Sequence, residues 1–357
     1  MSGSESAARG LLRSGLAVGA LIAATTPALA HVEYVTEGPH ETIDPIHFVI
    51  SVLSQPMNAG LVGAGGIATV GVLAGYLYVN ESAPFDVYVL RETLTEDSDF
   101  LPLLLRLSIG LPLVGAGFTG YFVSPAVEIA NTPLLNTVSR LFLTTIGFFL
   151  LYGIATRVVA AVGLTAYVVA TVVVAPELLL ASEYLGGFLA IVVLGSGRPS
   201  ISQLLYRLAE TEGTLYGRTN PIHKLTVRID QYVAPYEAYT PTILRVGLGI
   251  NFVYTGVFDK LLQPGKALAV VEKYGLTRVL PVDPGMWVIG AGGTELLLGC
   301  ALIAGVFTRG VATVAFGILT LTLFALPNDP VLAHIPLFGL ATALLITGSG
   351  RIALDNL

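Results

Sequence analysis

Apolar stretches of about 20 residues recur along this chain, and most charges fall in the shorter segments between them. A helix of that length crosses ~30 Å of hydrocarbon. On this pattern membrane-spanning helices are expected near residues 57–79, 101–123, 138–153, 157–175, 184–196, 242–258, 286–304, 310–326 and 334–347. No ten-residue alternation of apolar and polar positions marks a membrane β-barrel. The fold class expected is all-α: a polytopic membrane protein of two tandem four-helix bundles with one extra N-terminal transmembrane helix.

Composition agrees. Hydrophobic residues make up 54% of the chain and charged residues 12%, with a mean hydropathy of +0.77. A soluble domain carries roughly twice that charge. The net charge of −6 comes without a basic stripe, so nucleic acid is not an expected partner and membrane lipid is. The single cysteine, Cys300, excludes an intrachain disulfide and a four-thiolate iron–sulfur cluster, and reads as a small buried hydrophobe.

Residues 1–30 have the three parts of a secretory signal. Arg9 and Arg13 form its positive region, Gly15 to Ala24 its apolar region, and Ala28-Leu29-Ala30 a small-x-small cleavage site. The remaining organisation expected is an extracytoplasmic segment over 31–56, a first transmembrane helix over 57–79 and an acidic cytoplasmic linker over 80–100. A four-helix unit over 101–200, a basic cytoplasmic linker over 201–240 and a second four-helix unit over 241–357 complete it. Basic residues fall mainly on one side of this arrangement. That bias places the mature N-terminus outside and the C-terminus in the cytoplasm of a multi-pass protein of the cell membrane.

The two units align with each other. Pro102, Arg106, Gly110, Gly117 and Pro125 meet Pro241, Arg245, Gly249, Gly256 and Pro264 at an offset of 139. At 152, Gly147, Gly153, Thr156 and Arg157 meet Gly299, Gly305, Thr308 and Arg309. Gly195-Ser196-Gly197-Arg198 then meets Gly348-Ser349-Gly350-Arg351. Four spans per copy make the repeat parallel rather than inverted.

Glu295 is the most informative polar position, because an acid near mid-span costs on the order of 3 kcal/mol. Its expected partner is Lys260, at the outer end of the preceding span. The repeat puts Tyr121 and Leu143 at these two places, so the first copy lacks both members. The pair reads either as a proton-exchanging site or as a polar clamp between helices. Arg106, Arg157, Arg245 and Arg309 recur in both copies, which predicts a structural role in contact with lipid headgroups or with carbonyls at helix ends. His31, His40 and His47 lie near the expected mature terminus, where nitrogen ligands suit copper, although nothing sets their spacing. A haem of its own is not expected, since only His334 reaches even the edge of a span.

The second copy resembles the DoxX family of small four-helix membrane proteins. The resemblance rests on Leu244-Arg245-Val246-Gly247-Leu248-Gly249 and Gly256-Val257-Phe258-Asp259-Lys260. It continues through Glu295-Leu296-Leu297-Leu298-Gly299, Gly305-Val306-Phe307-Thr308-Arg309 and Gly348 to Asp355. It implies a membrane subunit of a quinone-linked respiratory or sulfur oxidoreductase system, with a quinone and a redox partner subunit as its associates. On that reading Glu295 and Lys260 are the catalytic residues, and Tyr254, Asp259 and His334 contact the quinone. A non-catalytic scaffold or assembly factor is the alternative. A small-solute carrier is a further one, weakened because polar mid-span groups are expected in one copy only.

Overall fold

The computed structural model describes residues 42–129, 132–173, 175–214, 216, 228–326 and 329–356. The expected signal segment, with His31 and His40, lies outside the described residues. Proline in the first turn opens most of the helices, where its missing N–H costs nothing and its fixed φ suits the helix. Helix α1 (Pro45–Leu53) lies across one end of the bundle and is followed by α2 (Pro56–Ser82) and α3 (Pro84–Glu96). The first unit comprises α4 (Leu101–Thr119), α5 (Pro133–Tyr152), α6 (Thr156–Val173) and α7 (Glu183–Leu194). After α8 (Ile201–Glu210) the second unit begins with α9 (Thr240–Tyr254), which runs on as a π-helical segment, Thr255–Leu261. Helices α10 (Pro264–Lys273), α11 (Pro284–Ala304), α12 (Thr308–Ala325) and α13 (Val331–Thr347) complete it.

Among the described residues six helical stretches are long and apolar enough to cross a membrane, and α7 and α13 are shorter apolar helices. The chain is a multi-pass α-helical membrane protein. The acidic stretch over 80–100, expected as a linker, is largely helical: α3 and a short 3-10 turn lead directly into α4. Its charges are exposed, which hydropathy reads as loop although exposed charge is equally at home on a helix surface.

The two units place the same residues in the same contacts. A Cβ added at Gly110 would lie 2.9 Å from the carbonyl oxygen of Gly147, and one at Gly249 would lie 2.9 Å from that of Gly299. Helices α4 and α5, and equally α9 and α11, therefore cross backbone to backbone, and only glycine allows this. Arg106 donates to the Pro199 carbonyl at 2.6 Å. Arg245 donates to Leu302 and Ile303 at 3.0 and 3.1 Å, and to Ile352. Arg157 donates to the Val193 carbonyl and pairs with Asp230; Arg309 donates to Leu345 and Ile346. These arginines contact backbone carbonyls, at helix ends for Val193, Leu302, Ile303, Leu345 and Ile346 and in loops for Pro199 and Ile352. Arg106 and Arg245 are buried, so neither reaches lipid headgroups.

The units interlock through their first and fourth helices. Helix α7 packs on α9, and α13 packs on α4. At the first crossing a Cβ on Gly186 would come within 2.9 Å of Gly247 Cα; at the second, Gly339 lies against Ser108. Gly339 and Ser108 are the repeat equivalents of Gly186 and Gly247, so the crossings are related by an approximate two-fold. One apolar core runs through both, from Leu105 and Phe188 to Leu244 and Leu344.

Helix α2 stands apart. Only Asn58 is buried in it, and nothing lies within 4 Å of a Cβ added at Gly71 or Gly75, the close-approach positions. Its contact with the bundle is at its end, where the Tyr76 ring meets Phe307. Cys300, expected to be buried, is exposed on α11, because it faces away from the α9 contact made by Gly299.

Candidate functional site

The repeat offset changes from 139 to 152 between the first and second spans of each unit, so the second unit carries 13 extra residues there. They form α10 and the turn after it, in place of the short loop that follows α4. In the first unit, α4 stops at Gly120, in the left-handed region at φ 96°. In the second, the equivalent residue is Asp259, and the helix continues past it as a π segment. π segments arise where a residue is accommodated without breaking the helix, and they are frequent at functional sites. Here the segment carries Asp259 and Lys260 onto the wall of a cavity.

That cavity has a volume of about 740 Å³ and a mostly apolar lining, within the ~300–1,000 Å³ usual for small-molecule sites. Its walls come from α9 with its π segment, α10, α11, α12 and α13, and from first-unit residues around 180–184. Its cover is a satellite apolar cluster: Phe48 and Val52 of α1 packed with Ala267 and Val271 of α10 and with Met286 and Val288 of α11.

Between the helices of the first unit lies a much smaller space. Leu113, Phe142, Leu143, Tyr167 and Phe188 border a residual gap of about 10 Å³, enough for one water at most. Phe142 and Tyr167 occupy the repeat positions of Thr294 and Leu319, which line the cavity, so aromatic side chains fill the first unit where smaller ones border space in the second. The Tyr167 hydroxyl is satisfied internally, donating to the Leu178 carbonyl at 2.7 Å.

The polar groups of the cavity fall into two places. In the first, Lys260 Nζ donates to Glu295 Oε2 at 2.8 Å, with the two side chains 25% and 16% exposed. The expected meeting of these head groups is therefore direct, without a bridging water. Asp259 is buried beside them on the cavity wall. His334, read from sequence at the edge of a span, is buried in the first turn of α13, with Nε2 3.5 Å from Asp329 Oδ2. Both His334 and Asp329 line the cavity. Tyr254 does not. One and a half turns before Lys260, it faces out of the cavity and stacks on Phe258, with ring centres 4.9 Å apart.

The second place was not anticipated from the sequence. Glu183, at the start of α7 in the first unit, is buried and also lines the cavity. Asn251 of α9 donates to Glu183 Oε2 at 2.9 Å and to the Leu180 carbonyl at 2.6 Å. Glu183 opens its helix rather than standing mid-span, and through it the first unit supplies a polar group to the second unit's cavity. The signal available was a carboxylate opening an apolar run, without any indication of what it faced.

No group of three or more histidine, cysteine, aspartate or glutamate side chains suited to a metal occurs among the described residues. His47 is exposed on α1, where its backbone N–H is capped by Asp44 at 2.8 Å.

Among protein families, the DoxX model matches residues 240–328, from the start of α9 to the loop before α13. The match covers the cavity's α9, α11 and α12 walls, with Asp259, Lys260 and Glu295. No curated protein and no solved structure matches the chain.

Proposed function

We propose that this membrane protein of the DoxX family is a quinone-binding membrane subunit of a respiratory or sulfur oxidoreductase system, with no haem or iron–sulfur centre of its own. The observation that carries this reading is the cavity itself: a mostly apolar space among the helices of the second unit, with an ion pair of Lys260 and Glu295 on its wall. Such a space suits a ring with an apolar tail. The lysine is a donor for a ring oxygen, and the carboxylate beside it is a group able to exchange a proton. Asp259 and the Asp329–His334 pair lie on the same wall and extend the set of exchangeable groups. A redox partner subunit would carry the electrons. The first unit is read as a second DoxX-like copy whose own site is closed by aromatic side chains.

The same proposal includes insertion in the cell membrane after a cleaved signal, with the mature N-terminus outside and the C-terminus cytoplasmic. The cavity end bearing Lys260 and α10 then faces the outer side.

The test is binding of decylubiquinone to the purified full-length protein, with Glu295→Gln as the control. The expected outcome is saturable binding that weakens at least about tenfold in the variant, a loss of roughly 1.4 kcal/mol. Binding that is absent, or indifferent to Glu295, would leave the scaffold as the better reading.

A further inference from the structure

The approximate two-fold of the fold makes an internal control for every residue at the interface between the units. At the α7–α9 crossing the facing pair is Glu183 and Asn251. Their repeat equivalents at the α13–α4 crossing are Pro336 and Pro112, both inside their helices. The packing framework is thus retained at both crossings, and the polar pair is present at one. The crossing that holds it is the one facing the open cavity. A polar pair needed to clamp helices would serve equally at either crossing, so its restriction to the cavity side points to a ligand.

The placement is specific in a second way. Asn251, Phe252, Thr255 and Asp259 all line the cavity, so it follows one face of α9 and its π continuation. Asn251 and Lys260 are nine residues apart, which separates their backbones by ~13 Å along the helix. Helical side chains lean toward the N-terminus, so Lys260 reaches back toward Asn251 and shortens that gap. The cavity consequently has a polar pole at each end, Glu183–Asn251 and Lys260–Glu295, with Phe252 and the first unit's Tyr184 on the apolar wall. Glu183 is only 3% exposed and lies on that wall, so its carboxyl group is screened from bulk water. In such surroundings a hydrogen bond from a ligand hydroxyl discriminates strongly against a ligand without one.

We infer that Glu183, contributed by the first unit, is a specificity-determining residue of the second unit's cavity, where its carboxyl group accepts a hydrogen bond from a ring hydroxyl and so favours the reduced quinol over the quinone. Asn251 is the positioning residue that holds Glu183 Oε2. The site is therefore complete only when both units are present in one fold. This inference rests on the quinone-binding reading given above.

The experiment compares decylubiquinol and decylubiquinone binding to the full-length protein, wild type, Glu183→Gln and Glu183→Ala, with thermal stability of each in detergent. Glu183→Gln preserves size and one acceptor oxygen, and adds a donor suited to a carbonyl. The expected result is preferential binding of the quinol by wild type. In Glu183→Gln, quinol affinity falls about tenfold while quinone affinity is unchanged or higher; Glu183→Ala weakens the quinol at least as much. Equal effects on both redox forms, no effect on either, or a loss of quinol binding that merely follows a loss of stability would overturn the assignment of Glu183. Quinone binding that responds to Glu295→Gln but not to Glu183 would sink this inference alone, whereas no binding of either form by wild type would end both.

Discussion

The guanidinium of Arg245 occupies the space that a side chain on Gly305 would need, and Arg106 occupies the same space beside Gly153. Both glycines sit in the left-handed region, at φ 70° and 67°. Each closes a helix while leaving room for an arginine that reaches carbonyl oxygen beyond its own helix. Arg106 reaches Pro199, and Arg245 reaches Leu302, Ile303 and Ile352. Gly153→Ala and Gly305→Ala should each cost about 2 kcal/mol, from backbone strain together with displacement of the arginine. Faster thermal inactivation in detergent is the expected readout, with similar effects in the two units.

The Lys260–Glu295 ion pair predicts an asymmetry between single and double substitutions. Lys260→Ala leaves a partly buried carboxylate facing an apolar wall, and should destabilise by roughly 3 kcal/mol. Replacing both partners, as Lys260→Met with Glu295→Leu, should recover most of that stability while leaving ligand binding abolished. A double-substitution cycle on unfolding, run beside the binding assay, separates the two roles. If the double variant were as unstable as the single one, the pair would be the clamp that holds α11 to the π segment.

The closed first unit supplies a recipe for closing the second. Thr294→Phe with Leu319→Tyr transfers the identities of Phe142 and Tyr167, and places the added volume on the wall of the cavity of about 740 Å³. Binding should be lost with stability changed by no more than about 1 kcal/mol. In the first unit, Phe188→Ala opens a cavity in a filled core and should cost about 3–5 kcal/mol. Equilibrium binding and thermal denaturation of the two variants check both halves of this prediction.

Gly186 and Gly247 let α7 and α9 meet backbone to backbone, with a Cβ on Gly247 only 2.6 Å from Gly186 Cα. Gly186→Leu should force the units apart at this crossing, at a cost of about 1–3 kcal/mol or more. It should also break the hydrogen bond of Asn251 to Glu183. Cross-linking of cysteines introduced on the two helices would report the separation as a lower yield.

Much of the fold was legible along the chain. Hydropathy located the spans because each crossing must be apolar over about 20 residues, and that demand is local. The recurrence of Gly110, Arg106 and Gly153 in Gly249, Arg245 and Gly305 showed two similar units, because close crossings and buried guanidiniums tolerate no substitute. Glu295 stood out because a carboxylate in an apolar helix needs a partner, and Lys260 was within reach on the neighbouring span.

Other features came only with the packing of the helices. Glu183 opens its helix without any local sign of its surroundings; its partner Asn251 is 68 residues away in the other unit. Tyr254 and His334 were read alike from the sequence, and they part because a side chain's value depends on which face of its helix meets the cavity. The π segment that carries Asp259 and Lys260 onto the cavity wall leaves no mark in hydropathy. The cavity itself is a difference in side-chain volume among helices distant in sequence: Thr294 and Leu319 on its wall where the first unit has Phe142 and Tyr167. The number, apolarity and kinship of the helices are written in the order of residues, since they follow from what each segment must do in lipid. Which helix faces meet, and so which unit holds the space for a ligand, depends on contacts between segments far apart in the chain, and these exist only in the folded molecule.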